Sequence, residues 1–346
     1  MAGKRVGILT GGGDCPGLNA VIRGAVRKGI DVHGCEMVAV LNGWQGMMEN
    51  LTRPLDLEAV SGILPRGGTI IGTSRTNPFK ENGGGELVHN NIKAMGLDGL
   101  IAIGGDDTVG VAERLFREYG TPVVGVPKTI DNDLAGTDQS FGFDTAINIV
   151  MEALDRLHTT AESHNRVMVL EVMGRHAGWI AVEAGIAGGA DVVLIPEEPF
   201  NVQEVCNLIR KRHDRGKTFS IVVVAEGAKL DDESMVTQSG EKDAFGHVRL
   251  GGIGNFVGHQ IEEKTGFETR VTVLGHIQRG GSPTAYDRVL GTRFGIASID
   301  LVANDTFGKM VALRGLDIVA IDLKDAVADL RTVDMGLYEI AKVFFG

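Results

Sequence analysis

Two short runs hold residue types that can do chemistry: Gly104-Gly105-Asp106-Asp107-Thr108 and Lys128-Thr129-Ile130-Asp131-Asn132-Asp133. Each follows an apolar stretch, Leu100-Ile101-Ala102-Ile103 and Pro122-Val123-Val124-Gly125-Val126-Pro127 respectively. Paired glycines let a phosphate approach the backbone, and neighbouring carboxylates can hold a metal ion or accept a proton. In phosphoryl chemistry Mg2+ is typically held by one or two carboxylates plus phosphate oxygens, a role open to Asp106. Asp106 and Asp107 serve equally as a helix cap and a first-turn acid, and Asp131-Asn132-Asp133 as an Asx-rich turn. Asp131 or Asp133 can supply the base for a hydroxyl within hydrogen-bond reach. Asp107 adds a second fixed negative charge to a phosphate loop and should limit which donor fits.

Four further polar runs follow strand-like stretches: Gly11-Gly12-Gly13-Asp14, Thr73-Ser74-Arg75-Thr76, Met173-Gly174-Arg175-His176 and His276-Ile277-Gln278-Arg279-Gly280-Gly281. Ligands of open α/β sheets bind beyond the carboxyl ends of the strands, so this shared position predicts one composite cleft. Arg75, Arg166, Arg175, Arg270 and Arg279 stand at strand starts or ends. One such arginine is ordinarily a surface or ion-pair residue; several converging suggest two phosphate sites, because guanidinium matches phosphate bidentately. His276 alone is ordinarily structural, but beside Arg279 it becomes a phosphate contact. A P-loop is absent, since Lys211 stands where Gly216-Lys217-Thr218 would need its first glycine. A dinucleotide fingerprint is absent too: Gly11 and Gly13 fit, but position 16 is Pro.

The elements that must position these residues alternate. Strands are predicted over Arg5–Thr10, Glu36–Val40, Thr69–Gly72, Leu97–Ile103 and Pro122–Val126, with helices over Asn19–Gly29 and Thr108–Tyr119. Asp144–His164 has the spacing of a long helix and opens a second domain. Strands Arg166–Val172, Asp191–Ile195, Phe219–Ala225 and Glu268–Leu274 follow, with helices within Gly174–Gly189 and over Val202–Arg215 and Asn255–Lys264. Lys229–Val248 reads as a long exposed loop or hairpin. This order predicts βαβ units, mainly parallel sheets and, at 346 residues, two domains. The 50 glycines cluster after apolar segments, as tight strand-to-helix turns require.

The net charge of -11 argues against nucleic acid as a partner. Three cysteines, an odd number without metal spacing, predict reduced intracellular thiols. With no apolar run of membrane length, a cytoplasmic protein without a membrane partner is expected.

Taken together, Gly12-Gly13-Asp14, Gly104-Gly105-Asp106, Thr129 to Asp133, Met173-Gly174-Arg175 and Gly275 to Gly281 resemble the 6-phosphofructokinases over nearly the whole chain, in order. The resemblance implies two Rossmann-like three-layer αβα domains with mainly parallel sheets. It assigns 1–142 with about 278–318 to the phosphoryl donor and Mg2+, and 143–277 with about 319–346 to the sugar phosphate. It implies transfer to O1 of fructose 6-phosphate, with Asp131 as base, Asp133 supporting it and Asp106 in the Mg2+ site. Thr129 and Arg175 would contact the transferring phosphoryl, and Gly13 and Arg75 the donor. Met173, Gly174 and Glu226 would hold the sugar, and Arg166, Arg270, His276 and Arg279 its 6-phosphate. In the family the equivalents of Arg166 and Arg270 come from a neighbouring subunit, so a homodimer or homotetramer is implied. Arg23 and Arg27 match effector-contacting positions and are equally exposed helix residues.

The donor is set by two departures from the ATP-dependent pattern, which has Gly at both positions: Asp107 and Lys128. Pyrophosphate-dependent members carry Asp and Lys there. Asp107 would put bulk and charge where a nucleotide α-phosphate must pass, and Lys128 suits a small, highly charged donor. Like charges about 4 Å apart repel by roughly 4 kcal/mol at an effective dielectric near 20. The expectation is therefore a reversible pyrophosphate-dependent enzyme of the actinomycete type. The alternatives are the same chemistry with ATP, a non-catalytic sugar-phosphate sensor, and NAD kinase.

Overall fold

The computed structural model describes residues 3–231, 237–242, 248–250 and 252–346. In chain order the elements begin β1 (Arg5–Thr10), α1 (Leu18–Asp31), β2 (Glu36–Val40), α2 (Gly43–Glu49), β3 (Thr52–Pro54), α3 (Gly84–Ala94), β4 (Gly99–Gly104), α4 (Asp106–Tyr119) and β5 (Val123–Pro127). They continue α5 (Phe143–His164), β6 (Val167–Val172), α6 (Trp179–Ala187), β7 (Val192–Leu194), α7 (Val202–Asp214), β8 (Ser220–Ala225), β9 (Thr237–Lys242), β10 (Val248–Leu250) and α8 (Ile253–Thr265). The chain ends with β11 (Thr269–Val273), α9 (Ala285–Ala303), β12 (Lys309–Arg314), β13 (Asp317–Asp322), α10 (Leu323–Ala326) and α11 (Met335–Lys342).

These elements form two compact αβα units. The first holds Met1–Ile130, Leu134–Thr145 and Arg279–Leu330; the second holds Asp131–Asp133, Ala146–Gln278 and Arg331–Gly346. The first is built on a seven-stranded sheet of order β13-β12-β5-β4-β1-β2-β3. Its five inner strands run parallel, and β3 and β13 close the edges antiparallel. β4 and β5 are buried along their whole length, as expected of parallel strands covered on both faces. Leu9, Leu100 and Ala102 pack with Trp44, Val88, Ile92, Val109 and Leu115 from α2, α3 and α4. α1 and α9 pair closely, because a Cβ on Gly295 would stand 2.2 Å from the Val21 carbonyl oxygen.

Residues 319–330, expected with the sugar-phosphate domain, belong to the first unit. The cause is β13, which pairs with β12 over Lys309–Arg314. Thr69–Gly72, expected as a strand, is instead a turn. Its Ile70 N–H donates to the Asn19 side chain at 2.9 Å, and Gly72 takes a left-handed φ of 70°.

The second unit carries a four-stranded parallel sheet of order β11-β6-β8-β7. Val167, Val169, Val222 and Val224 pack against Val205 and Ile209 of α7 and Ile253, Val257 and Ile261 of α8. α6 starts at Trp179, within the Gly174–Gly189 run expected to hold a helix. Glu171, nearly buried, caps α8 by accepting from Gly254 N at 2.8 Å, and burial raises its carboxyl pKa. Within Lys229–Val248 the described part forms an antiparallel ribbon of β9 with β10; residues 232–236 and 243–247 lie outside the described set. No helix among the described residues is long and apolar enough to cross a membrane.

Candidate active site

In the first unit, the loops after β1, β4 and β5 meet because those strands are parallel neighbours. Gly11 N donates to Ile103 O at 2.9 Å, and Lys128 N to Gly104 O at 2.9 Å. Thr73 joins them: its hydroxyl donates to Gly12 O at 2.7 Å, while Gly12 N donates to Ser74 O at 3.0 Å. Exposed Arg75 follows directly. Lys128 is buried and reaches back into the glycine loop, its Nζ donating to Gly13 O at 2.6 Å. Thr129 is fixed by the Ser140 hydroxyl, which donates to its carbonyl at 2.7 Å.

A side chain at position 13 would have to displace the Arg279 guanidinium. A Cβ there would stand 2.1 Å from Nη1 of Arg279. Arg279, implied by the resemblance to bind the sugar 6-phosphate, therefore lies in the first unit beside the donor loop. Gly13, Lys128 and the start of α4 stand together with Arg279 at their edge, an arrangement of backbone N–H groups and cations that suits phosphate. Asp106 and Asp107 are the first residues of α4, after an extended Gly105 N-cap.

The residues also fit a divalent metal, provided the donor brings it. Thr108 Oγ1 is buried without a hydrogen-bond partner among the described residues, and it lies 2.5 Å from where a Gly11 Cβ would be. A polar ligand group at the loop would satisfy it. No group of three or more His, Cys, Asp or Glu able to hold a metal occurs among the described residues. A metal at Asp106 would therefore draw its other ligands from water, other protein oxygens or phosphate.

The second unit carries Asp131, Asp133, Arg166, Met173, Gly174, Arg175, Glu226, Arg270 and His276. Met173 to Arg175, Glu226 and His276 follow β6, β8 and β11, at the carboxyl end of the sheet. Gly227 N donates to Gly174 O at 3.1 Å, joining two of these loops. Sequence reasoning assigned no role to Gln278 inside its motif. It is fully buried, accepts from Met173 N at 3.2 Å and donates to Gly275 O at 3.0 Å, so it ties the third loop in.

Arg331 was also missed. Its N–H donates to Asp133 O at 2.8 Å and its guanidinium to Asn132 O at 3.2 Å. The guanidinium carbon lies 4.2 Å from the centroid of the Trp179 ring, whose Nε1 donates back to Arg331 O at 3.2 Å. This clamp holds the Asp131–Asp133 turn, in which Asn132 takes a left-handed φ of 53°.

Arg166 and Arg270 are not brought to that end. They stand at the starts of β6 and β11, roughly 20 Å from the loops at about 3.3 Å per residue. Both pair with Glu268, Arg166 at 2.8 Å, and Arg166 chiefly holds its carboxyl pKa below the ordinary range.

Residues 5–302 match the family described as Phosphofructokinase, whose members generally use a divalent metal. The chain is 58% identical over 342 residues to the pyrophosphate--fructose 6-phosphate 1-phosphotransferase of Streptomyces coelicolor, covering 99% of this chain and 100% of the relative. It is 52% identical over 338 residues to ATP-dependent 6-phosphofructokinase 3 of the same organism, covering 98% and 99%. Among solved structures, the T-state phosphofructokinase of Pichia pastoris matches with a TM-score of 0.84 at 33% identity; the match covers 99% of this chain and 39% of that longer one. A chain matched so fully, with its glycine loops and carboxylates assembled at strand ends as described, belongs to the phosphofructokinase family.

Proposed function

We propose that this chain is a pyrophosphate-dependent phosphofructokinase that reversibly converts fructose 6-phosphate and pyrophosphate to fructose 1,6-bisphosphate and phosphate. The single observation that carries the donor assignment is Lys128, buried with its ammonium in the glycine loop, together with Asp107 in the first turn of α4. The dense charge of a small diphosphate donor suits such a cation, while Asp107 disfavours a third phosphate.

Asp131 accepts the O1 proton as O1 attacks the terminal phosphorus. The new O1–P bond forms as the bridging P–O bond of pyrophosphate breaks, and phosphate leaves. Asp133 supports the base. Thr129 and Arg175 donate to the transferring phosphoryl, and Gly13, Arg75 and Lys128 hold the donor. Met173, Gly174 and Glu226 orient the sugar, and His276 and Arg279 bind its 6-phosphate with Arg166 and Arg270 of a second subunit. Mg2+, held by Asp106 and phosphate oxygens, would neutralise charge on the donor. We place the enzyme in the cytoplasm, consistent with three buried free thiols.

Initial rates with fructose 6-phosphate and either donor test the proposal. Turnover with pyrophosphate and little with ATP is expected, and removal of Mg2+ by chelation should abolish it. The 52% match to an ATP-dependent relative supports the second reading; turnover with ATP and none with pyrophosphate would establish that one instead.

A further inference from the structure

A cavity of about 410 Å3 borders Asp106 and Asp107 within the first unit. It is within the usual range of small-molecule pockets, about 300–1,000 Å3. Size alone therefore leaves room for the body of a donor larger than a diphosphate. Phe79, Gly110, Val111 and Arg114 line it on one side and Ala326–Leu330 on the other.

A planar base would bind here by stacking on Phe79, the one aromatic ring in the lining. That ring is already covered. The guanidinium carbon of Arg114 lies 4.0 Å from its centroid. Arg114 is also tethered one helical turn on, its Nε donating to Glu118 Oε1 at 2.7 Å. The lining carries three carboxylates, Asp106, Asp107 and Asp329, against the single cation of Arg114. Its charge balance therefore disfavours an anionic tail as well.

We propose that Arg114, stacked on Phe79 and held by Glu118, is a second donor-selectivity device that excludes the base half of a nucleotide. Asp107 and Lys128 act on the phosphate half. This inference rests on the pyrophosphate reading and deepens it. The two devices act in series. Removing Arg114 alone admits nothing, because the phosphates remain barred. Removing Asp107 and Lys128 alone admits ATP weakly, because the ring stays covered.

The test compares initial rates with ATP and with pyrophosphate in wild type, Arg114→Ala, Asp107→Gly/Lys128→Gly and the triple variant. Arg114→Ala should keep the wild-type kcat and KM for pyrophosphate and remain inactive with ATP. The triple variant should show a KM for ATP about threefold to tenfold below that of the double, at unchanged kcat. Glu118→Gln added to the double variant should give part of the same gain, since it frees the guanidinium without deleting it. It also serves if the triple variant does not fold. An unchanged KM for ATP in both would overturn the inference, and a higher one would overturn it and show that Arg114 supports base binding. Wild type turning over ATP would instead overturn the donor reading; Arg114→Ala would then report on the plug directly, through the KM for ATP of the otherwise native enzyme.

Discussion

Asp287 is fully buried where α9 begins, and it accepts from Gly142 N at 2.9 Å, Thr145 N at 2.8 Å and the Thr145 hydroxyl at 2.5 Å. It thus caps α5 with a residue from a distant segment. Burial pushes its carboxyl up from the ordinary 3.8 to about 6, against the lowering effect of those donors. Because the folded value lies above the unfolded one, its contribution to stability is fully present below about pH 4 and is lost as pH rises through about 6. A shift of this size corresponds to about 3 kcal/mol. Asp287→Asn removes the titration and keeps the shape. The stability of wild type relative to this variant, from denaturant melts, should therefore fall between pH 4 and pH 7. A difference independent of pH would mean that Asp287 stays ionised when folded. At this scale the candidate residues could be picked out of the sequence, because glycine pairs, carboxylates and arginines suit phosphate chemistry by type. The capping role of Asp287 could not, since its partners lie 142 to 145 residues away.

The short segment before α11 does for the Asp131–Asp133 turn what a strand does for the other loops. Arg331 bonds the carbonyls of Asn132 and Asp133 and stacks on Trp179. Glu197 anchors both neighbours, accepting from Gly178 N at 3.0 Å and from Val333 N at 2.9 Å. Arg331 is thus a positioning residue for the base proposed at Asp131. Its truncation loses a charged hydrogen bond and a cation–π contact, together about 2 kcal/mol. Arg331→Ala should lower kcat about tenfold to a hundredfold, with a smaller change in KM for fructose 6-phosphate. The acidic limb of its kcat–pH profile should also move, and Arg331→Lys should recover little of the loss, because lysine lacks the planar fork. An unmoved limb would reduce Arg331 to a structural role. Parallel strands were legible because burial on both faces makes them continuous apolar runs. Thr69–Gly72 deceived by the same token, since Thr-Ile-Ile imitates a strand where Asn19 and Gly72 impose a turn. The Arg331 clamp was hidden, because it joins residues 152 positions apart.

The placement of Arg166 and Arg270 matters to the whole molecule. Within one chain they sit at the amino end of the second unit's sheet, while Met173, Glu226 and His276 sit at its carboxyl end. Strand length separates the two groups by roughly 20 Å, far beyond the reach of one sugar phosphate. Glu268 pairs with both guanidinium groups at that far edge, and under the proposed function the two arginines form a phosphate clamp. Such a clamp serves catalysis only if it is donated to another copy, by a contact that is reciprocal in a twofold dimer. Two inactive variants make this measurable. Asp131→Ala lacks the base but keeps the clamp, and Arg166→Ala/Arg270→Ala keeps the base but lacks the clamp. In a mixed dimer, the subunit that retains Asp131 receives an intact clamp from its neighbour. Random pairing of equal amounts then leaves about a quarter of all sites complete. Co-expression with two different affinity tags, followed by sequential purification of the mixed oligomer, should recover activity that neither parent shows. A purified mixed oligomer that stays as inactive as its parents would confine the site to one chain, and the clamp would then have to be a surface ion-pair cluster.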